Sequence, residues 1–527
     1  MTTSTSNAQA GAPSGAELAA PPAEPPRAPP PAPPPGAPTA GRGAAGPPRT
    51  VWSRFVVLML CMAVVTTTLA FGTVHAWSLA AFELSAALVL VLWAADAWRT
   101  RLLRVSRNAL QVPLLGLIAF GLFQLMPWGL GAGGGGRVSY DPQATRTTLA
   151  QLAALFVYFA AALAFVDSPR RLRLVTRLVV VFGFLLAVYG LMQHFVNPRT
   201  IFWVREPKQA EPFGPYVNRH HFAGYMELTL AMPLGLLFAG AVARERMLLY
   251  GFASAMMAIA LVMTNSRGGM LSMVCEILFL AAAASLARAR GGRGREGRER
   301  GSRVRAAAVR LGGAFALVLA VFFGVLYFGG EDALSRLAGT VYSDDPTTGR
   351  SHFWQVTLGI IRDHPVLGTG LGAFAAVYPR YDTASGNYRL EQAHNDYLQT
   401  LSDAGAVGGL LGLLFLALLF WMALGRMRSH DRFRRGVALG ALGGCAGVLV
   451  HSFFDFTLHT AANGLLFLVL AALATVNGRV EEAERPERGR RRRRGRRHSG
   501  MDARAGGAAE GGADAEPAAA EKEGAPA

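Results

Sequence analysis

The sequence is poor in cysteine and in charged side chains. Its three cysteines, Cys61, Cys275 and Cys445, lie inside apolar segments without CxxC spacing, so we expect no disulfide, no metal site and no cofactor. Charged residues make up 16% of the 527 residues and hydrophobic residues 52%, a balance that excludes an ordinary series of soluble domains. There is no internal repeat of the solenoid type.

What the sequence does contain is a series of apolar blocks. Each is about 18 to 22 residues long, the length that a helix needs to cross a hydrocarbon core of roughly 30 Å. The blocks predict an all-α, polytopic membrane protein with about twelve transmembrane helices. The predicted spans are residues 55–74, 77–97, 109–128, 148–166, 176–196, 222–243, 247–264, 268–287, 308–329, 405–425, 436–457 and 461–478.

The net charge of +18 comes from arginines clustered between the apolar blocks. This placement favours a membrane topology signal over nucleic-acid binding, and we expect no nucleic acid as a partner. If both termini are cytoplasmic, the basic loops all fall inside, and the short loops near Val74, Arg267 and Leu458 fall outside with almost no positive charge. The opposite orientation would invert each of these biases.

Both ends of the chain differ in composition from the predicted membrane domain, residues 51–478. Residues 1–50 are rich in Pro, Ala and Gly, which predicts a disordered cytoplasmic tail rather than a signal peptide. Residues 479–527 are basic and then acidic, which predicts a second disordered tail. Its arginines either bind anionic lipid headgroups or serve as a stop-transfer block.

Two outer segments, residues 197–221 and 330–404, carry positive charges against this bias, and an anionic ligand would explain them. Arg219, Arg267 and Arg350 all fall on this side, and guanidinium groups match phosphate oxygens in a bidentate manner. Each also has an ordinary explanation: Arg267, in a tight hairpin, could extend to the interface, and the others could be surface charges.

Residues 330–404 form the longest outer segment, which we expect to be a helical periplasmic loop. A helix is predicted from Gly349 to about Arg362, followed by a glycine-rich turn over residues 364–374. No βαβ unit surrounds these glycines, so they do not indicate a dinucleotide site. His394 then precedes a span and could accept a proton from a hydroxyl, although a structural hydrogen bond is the alternative.

Polar residues next to these groups have two interpretations each. Asn395 and Asp396 could support His394 or simply cap a helix. Asn218 opens the sixth span, whose helix N-terminus offers N–H donors to an anion. Two carboxylates, Glu83 and Asp455, fall inside predicted spans; Asp455 follows His451 by four residues, so the two could satisfy each other on one helix face.

Several of these motifs together resemble the O-antigen ligase and O-antigen polymerase superfamily. The resemblance spans about residues 50–478 and is strongest over 218–410. The motifs are Asn218 to Tyr225, Ser266-Arg267-Gly268, Gly349-Arg350 with Trp354, Pro365 to Phe374, and His394 to Gln399 followed by Gly405 and Gly408.

This resemblance implies a GT-C-like, metal-independent glycosyltransferase in the bacterial inner membrane. Such an enzyme moves a glycan from undecaprenyl pyrophosphate to an acceptor hydroxyl at the periplasmic face, inverting the anomeric carbon. Arg267 and Arg350 match the family's pyrophosphate-binding arginines, His394 matches its acceptor-activating histidine, and Arg219 is a looser match. Asn218, Asn395 and Asp396 would support them. The lack of a clustered carboxylate metal site in the outer loops agrees with this chemistry.

The sequence leaves the acceptor open. Lipid A core, a growing polysaccharide and a protein are all acceptors of the superfamily, because specificity depends on loop shape. A transporter of lipid-linked glycans, with Glu83 and Asp455 coupling protons, is the alternative from another class. A noncatalytic scaffold is a third.

Overall fold

A computed structural model describes residues 50–129, 135–208, 210–290, 350–383 and 390–476, together with Gly312. In these ranges the chain is an all-α polytopic membrane protein, and its only extended pairings are isolated bridges at Ile201/Arg205 and Phe213/Tyr216. The α-helices are α1 (Val51–Leu69), α2 (Ala76–Thr100), α3 (Gln111–Leu125), α4 (Pro142–Phe165), α5 (Pro169–Val196), α6 (Arg219–Phe238), α7 (Arg244–Met263), α8 (Arg267–Arg290), α9 (Arg350–Asp363), α10 (Phe374–Val377), α11 (Asp396–Arg426), α12 (Arg432–His451) and α13 (Ala461–Thr475).

Among the described residues, eight helices are long and apolar enough to cross a membrane, and α3 and α13 are shorter apolar helices. Every predicted span except 308–329 overlaps one of the helices above. Apart from Gly312, that span lies outside the described residues, as do residues 1–49 and 477–527 of the predicted tails. The total of twelve spans and the disorder of the tails therefore stay predictions.

The loops fall at two ends of the helical bundle. One end, which we call the basic end, contains the arginine-rich connections after α2, α4 and α11. There Arg104 pairs with Asp96 at 2.8 Å and with Asp167 at 3.1 Å. Buried Arg434 donates to the carbonyls of Leu473, Ala474 and Val476, and so satisfies acceptors that the end of α13 leaves open.

The opposite end, which we call the site end, brings together the remaining loops. The amide of Tyr140 donates to Thr369 O at 2.9 Å, and Tyr216 Oη donates to Asn463 Oδ1 at 2.9 Å. The predicted amphipathic helix after Gly349 is confirmed as α9. The predicted hairpin between the seventh and eighth spans is also confirmed, because α7 ends at Met263 and α8 begins at Arg267.

The centre of the bundle depends on close packing of α12 against α6. A Cβ atom on Gly235 of α6 would lie 2.3 Å from the Cα of Gly440 on α12, so two backbones touch where only glycine fits. Small residues allow such approach between membrane helices, whose association depends on van der Waals contact rather than on the hydrophobic effect. Helix α6 is consequently buried along nearly its whole length.

Helix α11 is broken at Gly405, whose backbone is non-helical with φ +57° and ψ −157°. The sequence predicted a span from residue 405, and the break divides α11 there into a short first segment and the longer apolar one. The break frees the carbonyls of Ser402 and Asp403, which accept from the amides of Thr369 and Gly370 at 2.9 Å. The glycine-rich turn thus packs into the broken helix, in a structural role.

Replacing Gly440 tests the contact between α6 and α12. A Cβ in Gly440→Ala would lie 2.7 Å from Ala231 O, so we expect a loss of about 1–3 kcal/mol of stability. The control is Gly412→Ala, where nothing lies within 4 Å of the new Cβ and the better helix propensity of alanine should preserve or raise stability. Thermal unfolding in detergent measures both, and equal stabilities would contradict the proposed role of this contact.

Candidate functional site

The site end contains a buried carboxylate, Asp455, that collects positively charged or basic side chains from three other segments. Its side chain is 1% exposed and belongs to the connection between α12 and α13. Arg350 Nη2 donates to Asp455 Oδ2 at 3.1 Å. His394 Nδ1 lies 3.4 Å from Asp455 Oδ1, and His220 Nδ1 lies 3.9 Å from Oδ2. These four residues and Phe454, whose carbonyl accepts from Arg350 Nη1, form the cluster we call the Asp455 site.

The partners of Asp455 keep it ionised. Burial alone would raise the pKa of this carboxyl, but His394 and the nearby His220 and Arg350 outweigh that effect and hold the pKa well below its usual range. The backbone amide of Phe456 also donates to Oδ1 at 2.8 Å. At neutral pH Asp455 is therefore a fixed negative charge against which three side chains are oriented.

The partners themselves are reachable from outside. The side chains of Arg350, His220 and His394 are 20%, 22% and 25% exposed, respectively. The His394 ring packs edge-on against Phe456, with ring centroids 4.9 Å apart. Since Nδ1 faces Asp455, the opposite edge of the ring, with Nε2, points away from that carboxylate.

His394 occupies a constrained backbone position. Its φ of +51° lies in the left-handed region, which costs a residue other than glycine on the order of 1–3 kcal/mol. The next residue holds it there: Asn395 caps α11 by accepting from the amides of Tyr397 and Leu398 at 3.0 Å and donates to Phe453 O at 3.0 Å. Strain at an exposed, oriented histidine is typical of functional positions.

Asp396 ties the start of α11 to the connection that carries Asp455. It accepts from Ser452 Oγ at 2.8 Å, and its amide donates to Ser452 O at 2.9 Å. His459 also contacts its carboxylate. Asn395 and Asp396 are thus both anchors between α11 and residues 452–460, which combines the capping interpretation with the supporting one.

The three predicted arginines are arranged differently from one another. Arg350 lies in the Asp455 site. Arg267 is the exposed first residue of α8 and follows Ser266, whose Oγ lies 2.9 Å from His220 Nδ1. Arg219 forms an ion pair with Glu211 of the preceding loop, and Asn218 caps α6 by accepting from the His220 amide at 2.8 Å.

Part of the chain matches a known protein family. Residues 252–413 match the family model described as O-antigen ligase, a range that includes Arg267, Arg350 and His394. Over this range the chain is similar to O-antigen ligases. The resemblance inferred from the motifs is thereby confirmed. No curated protein sequence matches the chain.

Outside the matched range, the surroundings of the site contain residues for which the sequence predicted no role or a different one. We expected Asp455 to lie in a span, where His451 could satisfy it. Instead α12 ends at His451, and the two side chains take different partners: Asp455 contacts Arg350 and His394, whereas His451 Nδ1 lies 2.8 Å from Glu227 Oε1. The four-residue spacing of a helix did not predict these contacts, because α12 ends at His451 and Asp455 lies beyond it.

The sequence-based prediction missed two further carboxylates, Glu227 and Glu276. The signal that singled out Glu83, a charged residue in an apolar block, applies to them as well. Glu227 and Glu276 are fully buried, while Glu83 is half-buried on α2. Among the residues described, no group of three or more His, Cys, Asp and Glu side chains is placed to hold a metal ion.

The low pKa of Asp455 predicts how stability changes with pH. A carboxyl whose pKa is lower in the folded state than its unfolded value of about 3.9 stabilises the fold above that value, and the effect is lost as pH falls toward the folded pKa. Asp455→Asn should therefore be less stable than wild type from pH 7 to about pH 5, with the difference shrinking below about pH 4.

Thermal unfolding in detergent across this pH range measures the difference. The control is Glu211→Gln, whose carboxylate is 71% exposed and pairs with Arg219, so its effect should stay within about 1 kcal/mol at every pH. A constant gap between wild type and Asp455→Asn down to pH 3 would contradict the assignment.

Proposed function

We propose that this protein transfers a glycan from undecaprenyl pyrophosphate to an acceptor hydroxyl at the periplasmic face of the bacterial inner membrane. The similarity of residues 252–413 to O-antigen ligases supports an enzyme of the glycan ligase or polymerase type. The finer proposal rests on one observation: the two oxygens of Asp455 contact the predicted base, His394, and a predicted phosphate-binding residue, Arg350. In this arrangement one substrate contacts both the base, His394, and the phosphate-binding side chain, Arg350.

In this proposal His394 accepts the proton of the acceptor hydroxyl through Nε2. Asp455, facing Nδ1 at 3.4 Å, orients the ring and stabilises the imidazolium that forms, the role of a buried aspartate beside a catalytic histidine. The acceptor oxygen attacks the anomeric carbon as its O–H bond breaks. The bond from that carbon to the pyrophosphate oxygen breaks with its electron pair staying on the pyrophosphate, so a single displacement inverts the configuration.

Arg350 and Arg267 would stabilise the charge that grows on the leaving pyrophosphate, without a metal ion. A guanidinium has five N–H donors, and the contacts of Arg350 with Asp455 and Phe454 use two of its nitrogen atoms. Arg267 begins α8 and follows Ser266, whose Oγ lies 2.9 Å from His220 Nδ1 of the Asp455 site. We assign Arg219 a smaller part because Glu211 already pairs with it.

The acceptor is lipid A core or a growing polysaccharide in this proposal, with a protein hydroxyl as the alternative within the superfamily. A transporter of lipid-linked glycans is the candidate from another class, and the buried Glu227 and Glu276 are the observation in its favour. The placement of the Asp455 site at the helix ends, rather than deep in the bundle, favours the transferase.

Transfer of a lipid-pyrophosphate-linked oligosaccharide by the purified protein in EDTA tests the proposal. We expect His394→Ala to lower kcat by about 10²- to 10⁴-fold, because the general base is removed. Arg350→Ala should lower it by about 10²- to 10³-fold, because charge on the leaving group loses a preorganised donor. Arg219→Ala should stay within about fivefold of wild type.

The matched control is His352→Ala, a histidine of the same segment that pairs with Asp382 at 2.8 Å. It should keep wild-type transfer. Transfer that survives both His394→Ala and Arg350→Ala would show that the site is misassigned. A wild-type protein that transfers to no acceptor but moves the lipid across vesicles would establish the transporter instead.

A further inference from the structure

The interior of the bundle holds two carboxylates that the transfer chemistry does not use. Glu227 of α6 has partners for both oxygens: Oε1 lies 2.8 Å from His451 Nδ1, and Oε2 accepts from Ser272 Oγ at 2.8 Å. Glu276 of α8 is equally buried, yet neither of its oxygens has a hydrogen-bond partner among the residues described. An unpaired buried carboxyl calls for an explanation.

Glu276 is best explained as a carboxyl that holds a proton. An ionised carboxylate without a partner in an apolar interior is far more costly than its neutral form. The surroundings supply space for the acid: Gly447 of α12 faces it, and a Cβ there would lie 3.0 Å from Glu276 Oε2. Ser272 lies one turn before Glu276 on the same face of α8.

A chain of polar side chains connects this interior with the Asp455 site. From Glu227 it continues through His451, whose Nε2 lies 3.4 Å from Ser266 Oγ, and Ser266 Oγ lies 2.9 Å from His220 Nδ1. His220 is 22% exposed, so the chain begins at a surface that water reaches and ends among buried groups. Each member can both donate and accept a proton.

The charged groups along this chain differ at its two ends. Near the site end, the carboxylates of Asp455 and Asp396 interact electrostatically with His451. His220 interacts in the same way with Asp455, Arg350 and Arg219. At the inner end, Glu227 is the charged group that acts on Glu276. His451 therefore lies between the carboxylates of the site end and the buried Glu227, whose Oε1 is 2.8 Å from its Nδ1.

We propose that Glu276 and Glu227 form a proton-binding site inside the membrane domain, which exchanges protons with the Asp455 site through His451, Ser266 and His220. At each step one N–H or O–H bond breaks as the next forms, and no electrons are transferred between residues. Ser272 Oγ donates to Glu227 Oε2 at 2.8 Å and lies one turn before Glu276 on α8, which places both carboxyls toward the same face of that helix. The proton path leads to the Asp455 site, and only the catalytic role of His394 in that site rests on the proposed function.

Infrared spectroscopy of the purified full-length protein tests this inference. A protonated carboxyl shows a C=O stretch separate from that of carboxylates, and the band shifts when the proton is replaced by deuterium. We expect a band that is absent in Glu276→Gln, displaced in Glu276→Asp and unchanged in Glu211→Gln, whose carboxyl is exposed. A band unchanged in Glu276→Gln would overturn the assignment of the proton to this residue.

The path is tested by the rate at which that band shifts after transfer into D₂O. Ser266→Ala removes the hydroxyl between His220 and His451, so we expect exchange slower by about tenfold or more, with the band itself retained. His220→Gln tests the same path if Ser266→Ala does not fold. Exchange at the wild-type rate in a folded variant would overturn the path.

This measurement needs no glycan transfer. If the band and its exchange behave as expected while the protein transfers to no acceptor, the proton site stands and the proposed function fails. If transfer proceeds and the band is unaffected by Glu276→Gln, the proposed function stands and the proton site fails.

Discussion

The arrangement at the site end depends on the cost of burying the charge of Asp455. A carboxylate with 1% exposure persists only when it is paired and hydrogen-bonded, and its partners here come from α6, from α9 and from His394, two residues before α11. The same charge that must be satisfied therefore draws distant segments together. In doing so it aligns His394 and fixes Arg350, so the energetic requirement and the geometry of the site have one origin.

Glycines make that convergence possible. Gly235 and Gly440 let α6 and α12 touch backbone to backbone, which brings the start of α6, with His220, beside the end of α12 and the residues that follow it. Gly405 breaks α11 so that the glycine-rich turn from residues 364 to 374 can pack into it. In a membrane, where apolar side chains gain little by leaving lipid, such close contacts and internal hydrogen bonds supply much of the specificity.

Some of the site could be predicted from the sequence because local motifs carry it. The caps at Asn218 and Asn395, the helix starting at Arg350 and the hairpin before Arg267 are all set by neighbouring residues. The partner of Asp455 could not be predicted in this way. Four-residue spacing pointed to His451, but the helix ends there and the chain turns, so spacing no longer describes which side chains face each other.

The sequence by itself determined the all-α membrane class, the helix positions and the residue types at the site end, because hydrophobic length and capping act over one helix or less. Only the tertiary structure decided that Asp455 joins Arg350 to His394, that Arg219 pairs with Glu211, and that Glu276 has no hydrogen-bond partner among the described residues. Those outcomes depend on contacts between helices far apart in the chain. Electrostatic pairing acts through space, and a pattern along the chain does not encode it.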